Sequence, residues 1–300
     1  MSVSTLQETL DAGRFAVTAE IGPPRSCEPE QVRKLARMLK GSAHAFNLTD
    51  NQAANVRMSS LASSVLCLQE GLEPVMQMTC RDRNRIAMQS DLLGACALGV
   101  QNVLCISGDH QIFGNHPQAK NVYDVDPIQQ LMIFRRMRDE GVNWSGEPLP
   151  QPPQPFLGAA ANPFADPFEF RVVRLAKKVS AGAQFVQTQC VLDVERFQRF
   201  MGHVRERGLD EEVHVIAGVI PLRSHKAALF MKNKVAGMSV PDHIVDRLRR
   251  ASDPKEEGIK LCLETIDSLK STPGVHGVHI TAIAWEEIVP RLVQEAGIGP

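Results

Sequence analysis

Eight short, β-rich apolar runs recur along the chain, and each is followed by a longer stretch with helical periodicity. The runs are FAVTAEI at 15–21, HAFNLT at 44–49, EPVMQMT at 73–79 and NVLCISG at 102–108. They continue with PFLGAAAN at 155–162, FVQTQCV at 185–191, EVHVIAGVI at 212–220 and GVHGVHITAI at 274–283. Segments such as DPFEFRVVRLAKKVSAG open on Asp, Asn or Pro and close on Gly, as helix capping favours. Marking one position near the end of each run gives Glu20, Thr49, Thr79, Asp109, Asn162, Gln189, Ile220 and Ala282. The steps between them are 29, 30, 30, 53, 27, 31 and 62 residues. Most have the size of one strand-plus-helix unit, about 30 residues. The first long step holds a helix at 127–140 and the linker GEPLPQPPQP, and the second, over 221–273, predicts extra helices around 224–233, 241–250 and 254–271. Eight such units predict an α/β chain closed into a (β/α)8 TIM barrel, one domain over 1–300 with extra helices between strands 7 and 8. An open doubly wound sheet is the competing arrangement.

Charge and cysteine content narrow the function. The chain carries 33 Lys and Arg against 34 Asp and Glu, without the basic excess of a nucleic-acid or membrane-surface binder. No run approaches the roughly 20 apolar residues of a spanning helix. The N-terminus lacks the basic start and apolar run of a signal peptide, which predicts a cytoplasmic protein. Seven cysteines without a CxxC pair predict small buried hydrophobes rather than disulfides or a metal site. No GxGxxG follows a strand, and no Walker motif, nucleophile elbow or HExxH occurs. His276 and His279 are three apart on a strand, face opposite sides and make a poor metal pair.

In a barrel of this kind the active site forms at the C-terminal strand ends. There the chain places Glu20, Thr49, Thr79, Asp109, Asn162 and Gln189. Glu20 lies between Ala19 and Ile21, where partial desolvation suits a general acid near neutrality; the alternative is a structural pair with an arginine such as Arg25. Asp109 follows Gly108, which lets the backbone approach a planar ligand, although Gly-Asp is also a common turn. Gln187 and Gln189 share one strand face and suit a pterin-like donor and acceptor edge; the alternative is an internal network of barrel amides.

With these residues the sequence resembles the methylenetetrahydrofolate reductase family. The likeness runs through Glu20 before Gly22-Pro23-Pro24, Thr49, Met78-Thr79-Cys80, Gly108-Asp109 and Tyr123-x-x-Asp126. It continues with Ala181-Gly182-Ala183, Thr188-Gln189 before Asp193-Val194-Glu195, Gly218-Val219-Ile220-Pro221 and Gly277-Val278-His279 with Thr281. The resemblance implies a cytoplasmic flavoprotein oxidoreductase of one-carbon metabolism and methionine biosynthesis. It would reduce 5,10-methylenetetrahydrofolate to 5-methyltetrahydrofolate by hydride transfer from reduced FAD. Glu20 matches the family's general acid, Asp109 the aspartate near flavin and pterin, and Gln189 the pterin-binding glutamine. Thr49, Tyr123, Asp126, Ala160 and Lys178 match flavin-contacting positions, and Ser107, Gly108, His110, Asn162 and Asp166 fall at further cofactor positions. Gln187, His225 and Thr281 fall with Gln189 on the substrate side, and no metal is implied.

Departures from the family's pattern bear on the electron donor. Ser107 stands where bacterial members carry arginine, Asn162 where a tyrosine packs on the flavin, and Asp166 where a histidine follows. Cys190-Val191-Leu192 replaces a run containing phenylalanines, and His225 stands where an aromatic residue stacks on the nicotinamide. The donor is therefore NADH or NADPH, or a partner redox subunit, and FMN is an alternative to FAD. A homo-oligomer or a subunit of a complex is expected. Two other readings stay open: a flavin-free pterin-binding barrel for methyl transfer, and a dependent subunit of a one-carbon redox complex.

Overall fold

The computed structural model describes residues 3–235 and 237–300. Eight parallel strands close into a barrel in sequence order: β1 (Ala16–Ile21), β2 (Ala45–Leu48), β3 (Pro74–Thr79), β4 (Asn102–Ile106), β5 (Phe156–Ala161), β6 (Phe185–Cys190), β7 (His214–Val219) and β8 (Gly277–Ile280). β1 pairs with both β2 and β8, so no sheet edge is left open. Closure decides against the open sheet.

Period-two alternation explains why the strands read as apolar runs carrying polar residues. Val17, Ala19, Leu48, Met76, Met78, Val103 and Val186 pack outward under the helices in the main core. The alternate positions face the barrel axis in layers. The bottom layer holds Ala16, Ala45, Val75, Leu104, Phe156, Phe185 and Ile216, closed from below by Leu6 and Leu10 of the helix Thr5–Asp11. Phe156 and Phe185 stack with centroids 4.9 Å apart. A Cβ on Gly158 would lie 2.2 Å from the Phe185 ring, so this strand position has room only for glycine.

Above that layer lies a polar floor of Thr18, Asn47, Gln187 and His279, all buried. Asn47 Nδ2 donates to Gln187 Oε1 at 2.6 Å, and Gln187 Nε2 donates to Asn47 Oδ1 and Thr18 Oγ1 at 3.1 and 3.2 Å. Buried amides are tolerated here because they satisfy one another.

Between β7 and β8 stand three helices, His225–Lys234, Asp242–Arg250 and Pro254–Lys270, close to the predicted spans. The first two pack in a second apolar cluster with Cys190, Leu192, Ile220 and Leu222. This seats the insertion on the β6–β7 end of the mouth. Among the described residues no helix is long and apolar enough to cross a membrane.

Candidate active site

The C-terminal strand ends enclose a cavity of about 610 Å³. A larger concavity of about 830 Å³ lies on the outer surface, against the helix Ser60–Gln69, and its lining contains no carboxylate. The axial mouth is the better site because polar groups from many strands converge there.

Glu20, the penultimate residue of β1, is half-buried in that lining. Among the described residues its carboxyl makes no hydrogen bond. Burial raises its pKa to about 7; the charge of Glu286 adds to the rise, and Arg57 opposes it. The alternative of a pair with Arg25 is not what the structure forms. Arg57, the cation whose field reaches Glu20, donates instead to the Pro23 carbonyl at 2.8 Å.

On the β2–β4 side the mouth is built from charges. Asp50 is buried just after β2 and accepts from Thr79 N and Thr79 Oγ1, both at 2.9 Å, and from Arg83 Nη1 at 2.6 Å. Arg83 also reaches Asp91 at 2.7 Å. The buried Arg81 donates to Asp82, to the Asp109 carbonyl at 2.9 Å and to the Asn51 carbonyl. Asp109 is exposed, and its carboxylate accepts from Ala53 N at 2.9 Å. That last bond ties the loop after β4 to the loop after β2. Asn51, Ala53 and Ala54 hold left-handed φ of 46°, 54° and 54°, a strain of roughly 1–2 kcal/mol per residue of the kind that concentrates at functional sites.

The β5–β7 side, apart from Gln187, Thr188 and Gln189 of β6, is small and apolar. Ala160, Ala161, Ile220, Met231, Val235 and Met238 line it, the last three from the insertion. Alternation breaks once, in β6: Gln187 pairs with Ile216 but Cys190 with Gly218, which leaves one extra residue in β6. The bulge keeps Gln187 in the floor, puts Gln189 exposed at the rim and turns Cys190 into the lining. Gly218 makes room for it, since a Cβ there would lie 2.5 Å from the Thr188 carbonyl oxygen. Cys190 faces Thr281 and Glu20, and burial pushes its thiol up to about 12.

Beside the mouth, and sharing Ala160, Ala161 and Gln189 with it, is a cleft of about 160 Å³ lined by Asn162, Arg171, Arg174 and Lys178. Lys178 donates to the Ala160 carbonyl, and burial lowers its pKa to about 8, with Arg174 contributing. Three cations and no carboxylate give this cleft a positive lining.

A sequence profile of the methylenetetrahydrofolate reductase family matches residues 5–297. The chain belongs to this family. It is 24% identical over 312 residues to a probable methylenetetrahydrofolate reductase (NADPH) of Caenorhabditis elegans, covering 98% of this chain and 44% of that protein. It is 22% identical over 296 residues to the 5,10-methylenetetrahydrofolate reductase of Pectobacterium carotovorum, covering 96% and 92%. The chain spans about half the length of the first curated relatives it matches. Its fold matches a Clostridium thermocellum protein described as binding two copies of 5-methyl-5,6,7,8-tetrahydrofolic acid, with TM-score 0.71, 14% identity and coverage of 97% and 98%.

Against this reductase-family barrel, the residues singled out from sequence divide into three groups. Glu20, Thr49, Ser107, Gly108, Asp109, Ala160, Gln187, Gln189 and Thr281 share the cavity lining. Asn162 and Lys178 line the adjoining cleft. Tyr123, His110, Asp126, Asp166 and His225 line neither. Asp126 caps the helix Pro127–Asp139, accepting from Ile128 N and Gln129 N. Asp166 pairs with Arg196 at 2.9 Å, His110 accepts from Ile112 N at 3.4 Å, and His225 opens the inserted helix His225–Lys234. Tyr123 is 41% exposed. The Gln187 amide is engaged in the internal network that was its alternative reading, so what it presents to the cavity is a satisfied surface.

Sequence reading passed over Asp50, Gln77, Arg83, Glu286 and the methionines of the insertion. The charge alternation Arg81-Asp82-Arg83 just past the end of β3 was the available signal for the pair of Asp50 with Arg83. Glu286 offered none, because it acts across the barrel seam from β8 to β1.

Proposed function

We propose that the chain reduces 5,10-methylenetetrahydrofolate to 5-methyltetrahydrofolate, with Glu20 as general acid. The observation that carries this is an unbonded carboxyl at the barrel mouth that holds its proton near neutrality. Family membership and the folate ligand named for the Clostridium thermocellum neighbour support the same reading.

Opening the imidazolidine ring needs a proton at N10, and protonated Glu20 at the mouth can supply one. The negative charge of Asp109, held in place by Ala53 N–H, favours the cationic iminium that results. Gln189 at the rim offers an amide to the pterin edge, and Thr281 lies beside it in the lining.

The mouth also fits a flavin nucleotide. Ala160, Ala161 and Gly108 keep its walls low enough for a planar ring, and Thr49 and Ser107 add polar contacts. Arg171, Arg174 and Lys178 suit the phosphates, with Asn162 beside them, which favours FAD. Bound there, flavin would supply the hydride. The electron donor is NAD(P)H or a partner redox subunit; the place of His225 outside the lining favours the partner.

An anaerobic visible spectrum of the pure protein tests this. A flavin band bleached by 5-methyltetrahydrofolate supports the reaction, and bleaching by NADH as well would make the chain self-sufficient. A protein that takes up neither FAD nor FMN would sink the flavin chemistry. Glu20→Gln should retain flavin yet lose roughly 100- to 10,000-fold in turnover with folate; full turnover would remove the acid role.

A further inference from the structure

One buried polar group in the mouth is unused by the mechanism above. His279 of β8 is 6% exposed and lines the cavity. Its Nδ1 lies 2.9 Å from Thr18 Oγ1. That hydroxyl accepts from Gln187 Nε2 at 3.2 Å in the arrangement that pairs the Gln187 and Asn47 amides. With Gln187 donating to it, Thr18 has one proton to give, and among the described residues His279 Nδ1 is the acceptor it meets, which assigns the proton there. The tautomer follows: Nδ1 is the acceptor and Nε2 carries the hydrogen. Among the described residues Nε2–H has no protein partner. With Nδ1 turned to Thr18, Nε2 is the ring nitrogen left for the cavity, where a ligand that supplies an acceptor can take it.

We infer that His279 Nε2–H is a ligand-binding donor at the base of the mouth, and that it takes the ring carbonyl of a fused heterocyclic lactam. Two further features select that chemistry. Desolvation holds the ring neutral, with its pKa down at about 4, so it recognises a neutral acceptor rather than an anion. Gln77 of β3 also lines the cavity with an amide that bonds nothing else among the described residues, and an amide matches the carbonyl-plus-N–H edge of a lactam. Pterins and isoalloxazines share that edge. The inference rests on the proposed folate reductase reading.

The test combines ¹⁵N NMR of the histidine-labelled full chain with binding titrations. Near neutral pH the His279 ring should show an unprotonated Nδ1 and a protonated Nε2, and the Nε2 resonance should move when ligand binds. His279→Phe, which keeps a ring but removes the donor, should weaken the bound lactam by about 10- to 100-fold. Loss confined to 5-methyltetrahydrofolate would assign the carbonyl to the pterin, and loss confined to FAD would assign it to the flavin. Wild-type protein that binds both, with the variant unchanged, overturns this inference and leaves the function standing. Wild-type protein that binds neither overturns the proposed function and this inference with it. An Nδ1–H tautomer in the wild-type spectrum overturns the inference whether or not the variant folds.

Discussion

On the β2–β4 side of the mouth, side chains carry formal charge and bond to one another. On the β5–β7 side, apart from the amides and hydroxyl of β6, they are small or apolar and are held by shape. Asp50, Arg83, Arg81 and Asp109 form directional contacts that tolerate little displacement. Across from them, a bulge, a glycine and the methionines of an insertion do the equivalent work by packing. Charge on one wall suits the placing of a developing cation, and a low apolar wall suits a flat ring. Glu20 stands near the seam with β8, where the field of Glu286 reaches it.

The largest expected effect is on the charged side. Asp50→Ala leaves Arg83 and Thr79 with buried donors and should lower unfolding stability by about 3–5 kcal/mol in urea titrations. A loss under about 1 kcal/mol would mean the network is ornamental and the two walls are alike. Next comes the packed side. Gly218→Ala drives a methyl into the Thr188 carbonyl and should cost about 1–3 kcal/mol, with weaker folate binding as Gln189 shifts. Unchanged thermal unfolding and folate affinity would show that the bulge relaxes freely.

Titration separates the rim from the floor by sign. Glu20 has a folded pKa of about 7 against 4.5 unfolded, so its contribution is full below pH 4.5 and is lost as pH rises to 7. His279 falls from 6.5 to about 4 on folding, so its contribution is full above pH 6.5 and is lost as pH drops towards 4. Relative to the wild type, Glu20→Gln should therefore gain stability between pH 4.5 and 7 and hold that gain above. Denaturant unfolding across this range checks it; a constant offset would place Glu20 in water.

The smallest effect is expected at Asp166, whose side chain is 84% exposed in its pair with Arg196. Asp166→Asn should change stability by less than about 0.5 kcal/mol and leave flavin retention intact. Marked flavin loss would restore the cofactor role that family resemblance implies for this position.

How far each feature could be read from sequence follows from the range of the interaction behind it. Strands and inserted helices were legible because alternation and capping are local. Glu20, Asp109 and Gln189 stood out as polar residues closing apolar runs. Asp50 and Arg83 did not, since a carboxylate and a guanidinium 33 positions apart announce no pairing. From sequence His279 reads only as a poor metal partner of His276 and as part of the family likeness, because the barrel interior is invisible until the sheet closes. Asp126 shows the converse. Resemblance placed it in order along the chain, yet Asp before Pro127 is also a helix cap, and capping is where its carboxylate goes.

The hydrogen-bonded floor separates two histories within one barrel. Beneath it, aromatic stacking and a helical plug answer only to foldability. Above it, each residue of the upper ring can be exchanged and tried against chemistry, with little renegotiation of what lies below. A scaffold partitioned this way is evolvable: the upper ring can change its chemistry while the plug and the floor keep the barrel closed.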